Sequence, residues 1–241
     1  MKVAFKTLGD EALLINFEQK IDEKINKQVH SLTQILEERR IVGVRYITPA
    51  YCSLLIAFDK RQISYKQLVS QIRALLNKSN ISTFQPRKLY IPVCYDRFFA
   101  LDMAEVMAQT QLSAAEIVKK HTSQTFKTYM IGFLPGFPYL GKLPKELECV
   151  RKANPRLKVP KGAVGLAGLQ TGIYPQESPG GWQIIGNTPI DLRGKQGDHT
   201  FLFEAGDEVS FYSISKSKYE AILKDQKSGN FNWSNVYGQA N

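Results

Sequence analysis

The 241 residues include only three cysteines, three histidines and two tryptophans. Cys52, Cys94 and Cys149 lie far apart and outside any CxxC pair. That excludes a disulfide framework and a cysteine zinc site, and leaves them as small core hydrophobes. His30, His121 and His199 show neither HxxxH nor HExxH spacing, so no metal site is read from them. No run approaches the roughly 18 apolar residues of a membrane span. The opening stretch MKVAFKTLGDEALLINF is interrupted by Lys6, Asp10 and Glu11. It therefore lacks the apolar segment of a signal peptide, and a cytoplasmic location is expected. A GxSxG nucleophile elbow is also missing. Gly136–Lys142 fits the first seven positions of a P-loop, but Leu143 stands where a Mg²⁺-binding Ser or Thr is required. Pro138 and Pro144 further remove an amide donor and the helix such a loop must open.

Positive charge is what the chain has in excess, at a formal net of +10. Residues 1–85 carry 13 Lys+Arg against 8 Asp+Glu, and the remainder 19 against 14. Within the second part, residues 142–161 hold Lys142, Lys145, Arg151, Lys152, Arg156, Lys158 and Lys161 against two glutamates. A short basic loop of this kind suits an anionic small ligand or an acidic protein surface better than a duplex. No RNP, zinc-finger or KH signature accompanies it, so nucleic acid is not expected as a partner.

The chain changes character near Gln85–Pro86. Before it, Ala12–Phe17, Val42–Ile47 and Ser53–Phe58 read as strands. Ile21–Arg39 and Ser64–Asn77 read as helices, the second capped by Ser64. Arg87–Val93 is strand-like, so the order β-α-β-β-α-β reads as a split βαβ, ferredoxin-like arrangement. Beyond it, Asp102–Gln109 and Ser113–Lys120 are helical, the latter with Ser113 and Glu116 at capping-box spacing. Between Gly132 and Gly197 lie 12 of the 17 glycines and 8 of the 11 prolines. That density excludes long helices there and favours a barrel with elaborate loops. Its strands are expected at Lys127–Ile131, Val164–Ala167, Trp182–Ile185, His199–Phe203 and Glu208–Tyr212, with a last helix at Lys216–Lys224. The expected class is α+β, with a small α/β domain over 1–86 and a β-barrel domain over 87–241.

The chemistry-bearing residues concentrate in GFLPGFPYLGKL (132–143), RKANPRLKVPKGAVGLAG (151–168) and LQTGIYPQESPGGWQIIGNTP (169–189). One reading makes these turn and packing residues alone. The other makes Arg151, Arg156, Gln170, Tyr174 and Trp182 one cleft, walled by turns around Gly136 and Gly180. In that cleft arginine holds a carboxylate and the aromatic rings hold a flat ring. Thr171-Gly172 is read as a turn that aims Gln170 and Tyr174 inward.

The run from His121 to Pro189, above all the pair GFLPGFPYLG and SPGGWQIIG, closely resembles the allophanate hydrolase subunit 1 family. The resemblance implies a small N-terminal α/β domain followed by a cyclophilin-like β-barrel. It implies one component of an ATP-dependent 5-oxoprolinase complex, which opens 5-oxo-L-proline to L-glutamate with hydrolysis of ATP. The partners would then be the A-like and C-like components of that complex, the latter of the allophanate hydrolase subunit 2 family. Because the family also includes a sensor histidine kinase inhibitor and urea- or allophanate-processing relatives, those roles stand as alternatives. The family places a histidine at His121, which makes it the catalytic candidate. The competing role is a helix C-terminal histidine that complements the dipole. Two departures stand out. Tyr95–Met103 keeps Asp102 but lacks the family's Gly-Pro, and Asn187 stands where Arg is frequent.

Overall fold

A computed structural model describes residues 3–78, 85–193 and 201–238. The chain divides into two compact units, Met1–Gln85 and Pro86–Asn241.

The first unit runs β1 (Ala4–Thr7), β2 (Ala12–Asn16), α1 (Glu23–Arg39), β3 (Val44–Pro49), β4 (Ser53–Phe58) and α2 (Tyr65–Lys78). Its sheet has the order β1-β2-β4-β3 and is antiparallel throughout. Asp22 caps α1, its carboxylate accepting from the Lys24 and Ile25 amides. That starts the helix two residues later than the periodicity of Ile21–Arg39 suggests. Leu13, Ile15, Leu54 and Ile56, alternating along β2 and β4, meet Val29, Leu32 and Leu36 of α1 and Leu68 and Ile72 of α2 in one core. The split βαβ order is present, since β4 lies between β2 and β3. The outer place beside β2 goes to β1, however, and not to the strand after α2. The short 8–11 connection lets β1 fold back on β2 at little loop-closure cost.

The second unit begins with that displaced strand, β5 (Lys88–Val93). It continues through α3 (Met103–Thr110), α4 (Ala114–Thr122), β6 (Thr125–Ile131), β7 (Pro138–Gly141), β8 (Arg156–Val159) and β9 (Ala163–Ala167). β10 (Gln170–Ile173), β11 (Ser178–Gly180), β12 (Gln183–Asn187), β13 (Glu208–Ser213) and α5 (Lys216–Lys227) complete it. Seven strands form one sheet in the order β12-β9-β10-β7-β6-β13-β5, with β5 and β13 parallel. The sheet curls into a half-barrel whose edges touch. Cys94, after β5, exchanges backbone hydrogen bonds of 2.9 and 3.0 Å with Asn187 of β12. Gly186 permits this approach, because a Cβ there would stand 2.9 Å from the Cys94 carbonyl. β8 and β11 make a separate two-stranded piece.

Several expectations are corrected. Thr171-Gly172 is the middle of β10 and not a turn, and β7, β8 and β11 occupy stretches read as loop. Of the strand expected at His199–Phe203, residues 199–200 lie outside the described residues and 201–203 form no strand. The capping box at Ser113 and Glu116 is present as expected.

Candidate functional site

Strand β9 sets the site. In AVGLA the large residues Val164 and Leu166 enter the main core, while Ala163 and Ala167 fall on the opposite face with Gly165. That small face receives rings. Trp182 packs with its Cβ 3.0 Å from where a Gly165 Cβ would be. Phe137 meets it edge-on at 5.4 Å between centroids, and Tyr174 meets Phe137 at 5.2 Å. Tyr139, two residues along the chain from Phe137, stands 5.8 Å from Trp182. Phe133 extends the cluster from the 132–137 turn, edge-on to Phe137 and 63% exposed.

Arg151 lies over this cluster, its guanidinium carbon 5.9 Å from the Trp182 ring. Of the loop cations, Lys152, Arg156, Lys158 and Lys161 are paired with carboxylates. Arg151 is exposed and has no carboxylate partner among the described residues. Its charge reaches both phenols. Burial pushes the Tyr139 and Tyr174 hydroxyls up, and Arg151 opposes that shift in each. The result is a shelf with a cation above an aromatic floor, suited to a small flat anion.

The structure brings Arg151, Tyr174 and Trp182 together. Gln170 lies on the same face, two residues from Gly172, whose Cα backs onto the Phe137 ring. Arg156 is corrected. Its guanidinium makes two 2.6 Å hydrogen bonds to Asp102, whose side chain is 2% exposed. Asp102 also accepts from the Ile184 amide at 2.8 Å and from Lys152 Nζ at 3.0 Å. Burial alone would raise its carboxyl, but Arg156, the Ile184 amide and Lys152 outweigh it and hold the group below the usual range. Asp102 thereby plugs the outer edge of β12. Asn187 is also structural, accepting from Tyr219 Oη at 2.9 Å and donating to the Lys161 carbonyl at 2.9 Å.

His121 lies elsewhere. It is fully buried on the opposite face of β10, with Nδ1 2.7 Å from Tyr95 Oη and Nε2 3.0 Å from Thr171 Oγ1. The ring stacks on Phe211 at 4.5 Å. Burial lowers its pKa to about 3, so the imidazole is neutral, with one nitrogen donating and the other accepting. The sequence does not reveal the network in which Lys152 donates to both Asp102 and Glu105 and Gln183 donates to Glu105 at 2.8 Å, and it reads Phe137 and Tyr139 as packing alone. The small-large alternation of AVGLA is the signal that marks the aromatic face. Burial also raises the Cys149 thiol, to about 11, with Glu105 and Glu148 adding to the shift.

The model of the carboxyltransferase domain, subdomain C and D, family matches residues 3–203. The B component of a 5-oxoprolinase from Bacillus subtilis is 38% identical over 237 residues, covering 93% of this chain and 98% of that protein. Its counterpart from Haemophilus influenzae is 42% identical over 157 residues, 65% of this chain and 74% of that protein. The crystal structure of TTHA0988 superposes with a TM-score of 0.77 at 31% identity, over 85% of this chain and 40% of that longer one.

Proposed function

The chain belongs to the carboxyltransferase domain, subdomain C and D, family, and from that membership we propose that it is one component of an ATP-dependent 5-oxoprolinase. The complex would open 5-oxo-L-proline to L-glutamate in the cytoplasm, with A-like and C-like components as partners. End-to-end likeness to the Bacillus subtilis relative carries this reading. The chemistry requires the coupling: a lactam carbonyl is a poor electrophile, and transfer of a phosphoryl group to its oxygen activates it for attack by water. No complete catalytic set stands among the described residues, so the role assigned to the chain is binding and orientation. Arg151 holds the carboxylate while Trp182, Tyr139 and Tyr174 wall the ring, with Gln170 at its edge. On the same reading the first unit is a ferredoxin-like domain with β1 as its outer strand, and the second a cyclophilin-like barrel.

Co-expression with the partner components tests this directly. Glutamate and phosphate release should require all of them, with this chain inactive alone. Within the assembled complex, Arg151→Ala should lower 5-oxoproline turnover at sub-saturating substrate about tenfold to a hundredfold, the loss of one charge-assisted hydrogen bond. Its melting temperature should not change. Arg156→Ala should do the reverse, costing about 3 kcal/mol of stability because it takes the bidentate partner from the buried Asp102 charge and leaves only Lys152 and the Ile184 amide. Equal effects of the two substitutions on turnover would remove the shelf from the mechanism.

A further inference from the structure

The turn that ends α1 brings a left-handed arginine, an exposed valine and two guanidinium groups together on one surface. Arg40 occupies the left-handed cap position at φ 44°, where glycine or asparagine is the low-cost choice. Val42, two residues on, is 74% exposed. Arg39 and Arg40 also have no carboxylate partner among the described residues, so both guanidinium groups are available at this surface. These residues border a groove of about 570 Å³ between the end of α1 and α2. Ile63 and Leu75 contribute apolar lining. Along α2, Gln67 and Gln71 face it one turn apart. The Gln67 carbonyl oxygen is occupied by the Ser64 amide and hydroxyl, which leaves its NH₂ as a donor. None of the ten lining residues is acidic. The groove thus offers two guanidinium groups and side-chain amides around an apolar floor, in a unit whose own balance is five positive charges.

We propose that this groove docks an acidic segment of a partner protein in the assembly, with carboxylates on Arg39 and Arg40 and an apolar side chain against Val42. The proposal rests on the reading of the chain as one component of a complex. Paired guanidinium groups favour planar carboxylates, which bind such forks bidentately.

The test uses the full-length chain and its co-expressed partner components, with affinity measured by titration at 50 and 300 mM salt. Arg39→Glu with Arg40→Glu should weaken assembly at least tenfold and flatten its salt dependence. Arg40→Gly separates binding from folding, because it should weaken assembly while the melting temperature of the isolated chain stays level or rises. If wild type assembles and both variants bind as tightly, the groove is not the docking site and the reading of the chain as part of a complex survives. If wild type fails to assemble, both fall. Stabilisation of the isolated chain by inorganic phosphate, lost in Arg40→Gly, would make the occupant a small anion and overturn the protein partner.

Discussion

At the scale of single residues, His121 separates two roles that its sequence position leaves open. Both ring nitrogens are engaged, by Tyr95 and Thr171, and no water reaches the ring. A neutral imidazole locked between two hydroxyls ties α4 to β10, which fits a core position better than proton transfer to a ligand. The folded pKa, about 3, lies below the unfolded value of about 6.5. The unfolded chain therefore binds a proton first as pH falls. Stability from this group is complete above about pH 6.5 and drains between there and pH 3, at up to about 1.4 kcal/mol per pH unit. Urea unfolding at pH 7.5 and 5.5 should show this loss in wild type. His121→Phe should show less of it, together with a cost of about 1–3 kcal/mol at pH 7.5 for the unpartnered hydroxyls. Identical pH slopes in the two proteins would rule out His121 as the source.

At the scale of elements, the aromatic face depends on a strand too irregular to read as one. β10 is four residues, QTGI, and its centre holds the glycine that makes room for Phe137. A Cβ at Gly172 would stand 2.8 Å from the Phe137 ring and 2.9 Å from the Pro138 carbonyl, and backbone cannot yield as a side chain can. Gly172→Ala should therefore cost about 1–3 kcal/mol by overpacking. It should also alter the near-ultraviolet circular dichroism of the Trp182 cluster, and an unchanged spectrum would mean Phe137 moves freely. The same strand shows where the sequence was legible. Helices α1, α2 and α4 follow from apolar spacing, and α2 and α4 also from the caps at Ser64 and Ser113, because those signals are local. β7, β10 and β11 carry Pro or Gly and span three or four residues, too short for an alternating pattern to mark them. Arg151, Tyr174 and Trp182 were legible as a group because side-chain chemistry pointed to one ligand. Arg156 was misplaced because its partner, Asp102, lies 54 positions away.

At the scale of the whole molecule, the second unit is closed by its own ends. Its first strand, β5, pairs in parallel along its full length with β13, from Glu208↔Lys88 to Ser213↔Val93. Leu89 and Tyr237 form a further bridge near the C-terminal end. Ile222 of α5 and Val236 also enter the main core, beside Leu89 and Val209. The core of the first unit, from Leu13 to Ile72, contains no residue of the second. Two consequences follow for truncated chains. Residues 86–241 alone should fold, because every buried residue of their cores lies within that span. A chain ending at residue 203, where the family match ends, should not hold the half-barrel. It lacks β13, so β5 loses its partner strand and β6 loses an edge. An unpaired strand with exposed backbone groups also invites association. Expressing the two truncations and recording near-ultraviolet spectra and sedimentation tests this. The 86–241 segment should be monomeric with a tryptophan signature, and the chain ending at 203 aggregated or without fixed aromatic packing. A well-packed monomer ending at 203 would show that β5 finds closure without β13, and that the parallel pair is dispensable to the shelf on which Arg151 lies.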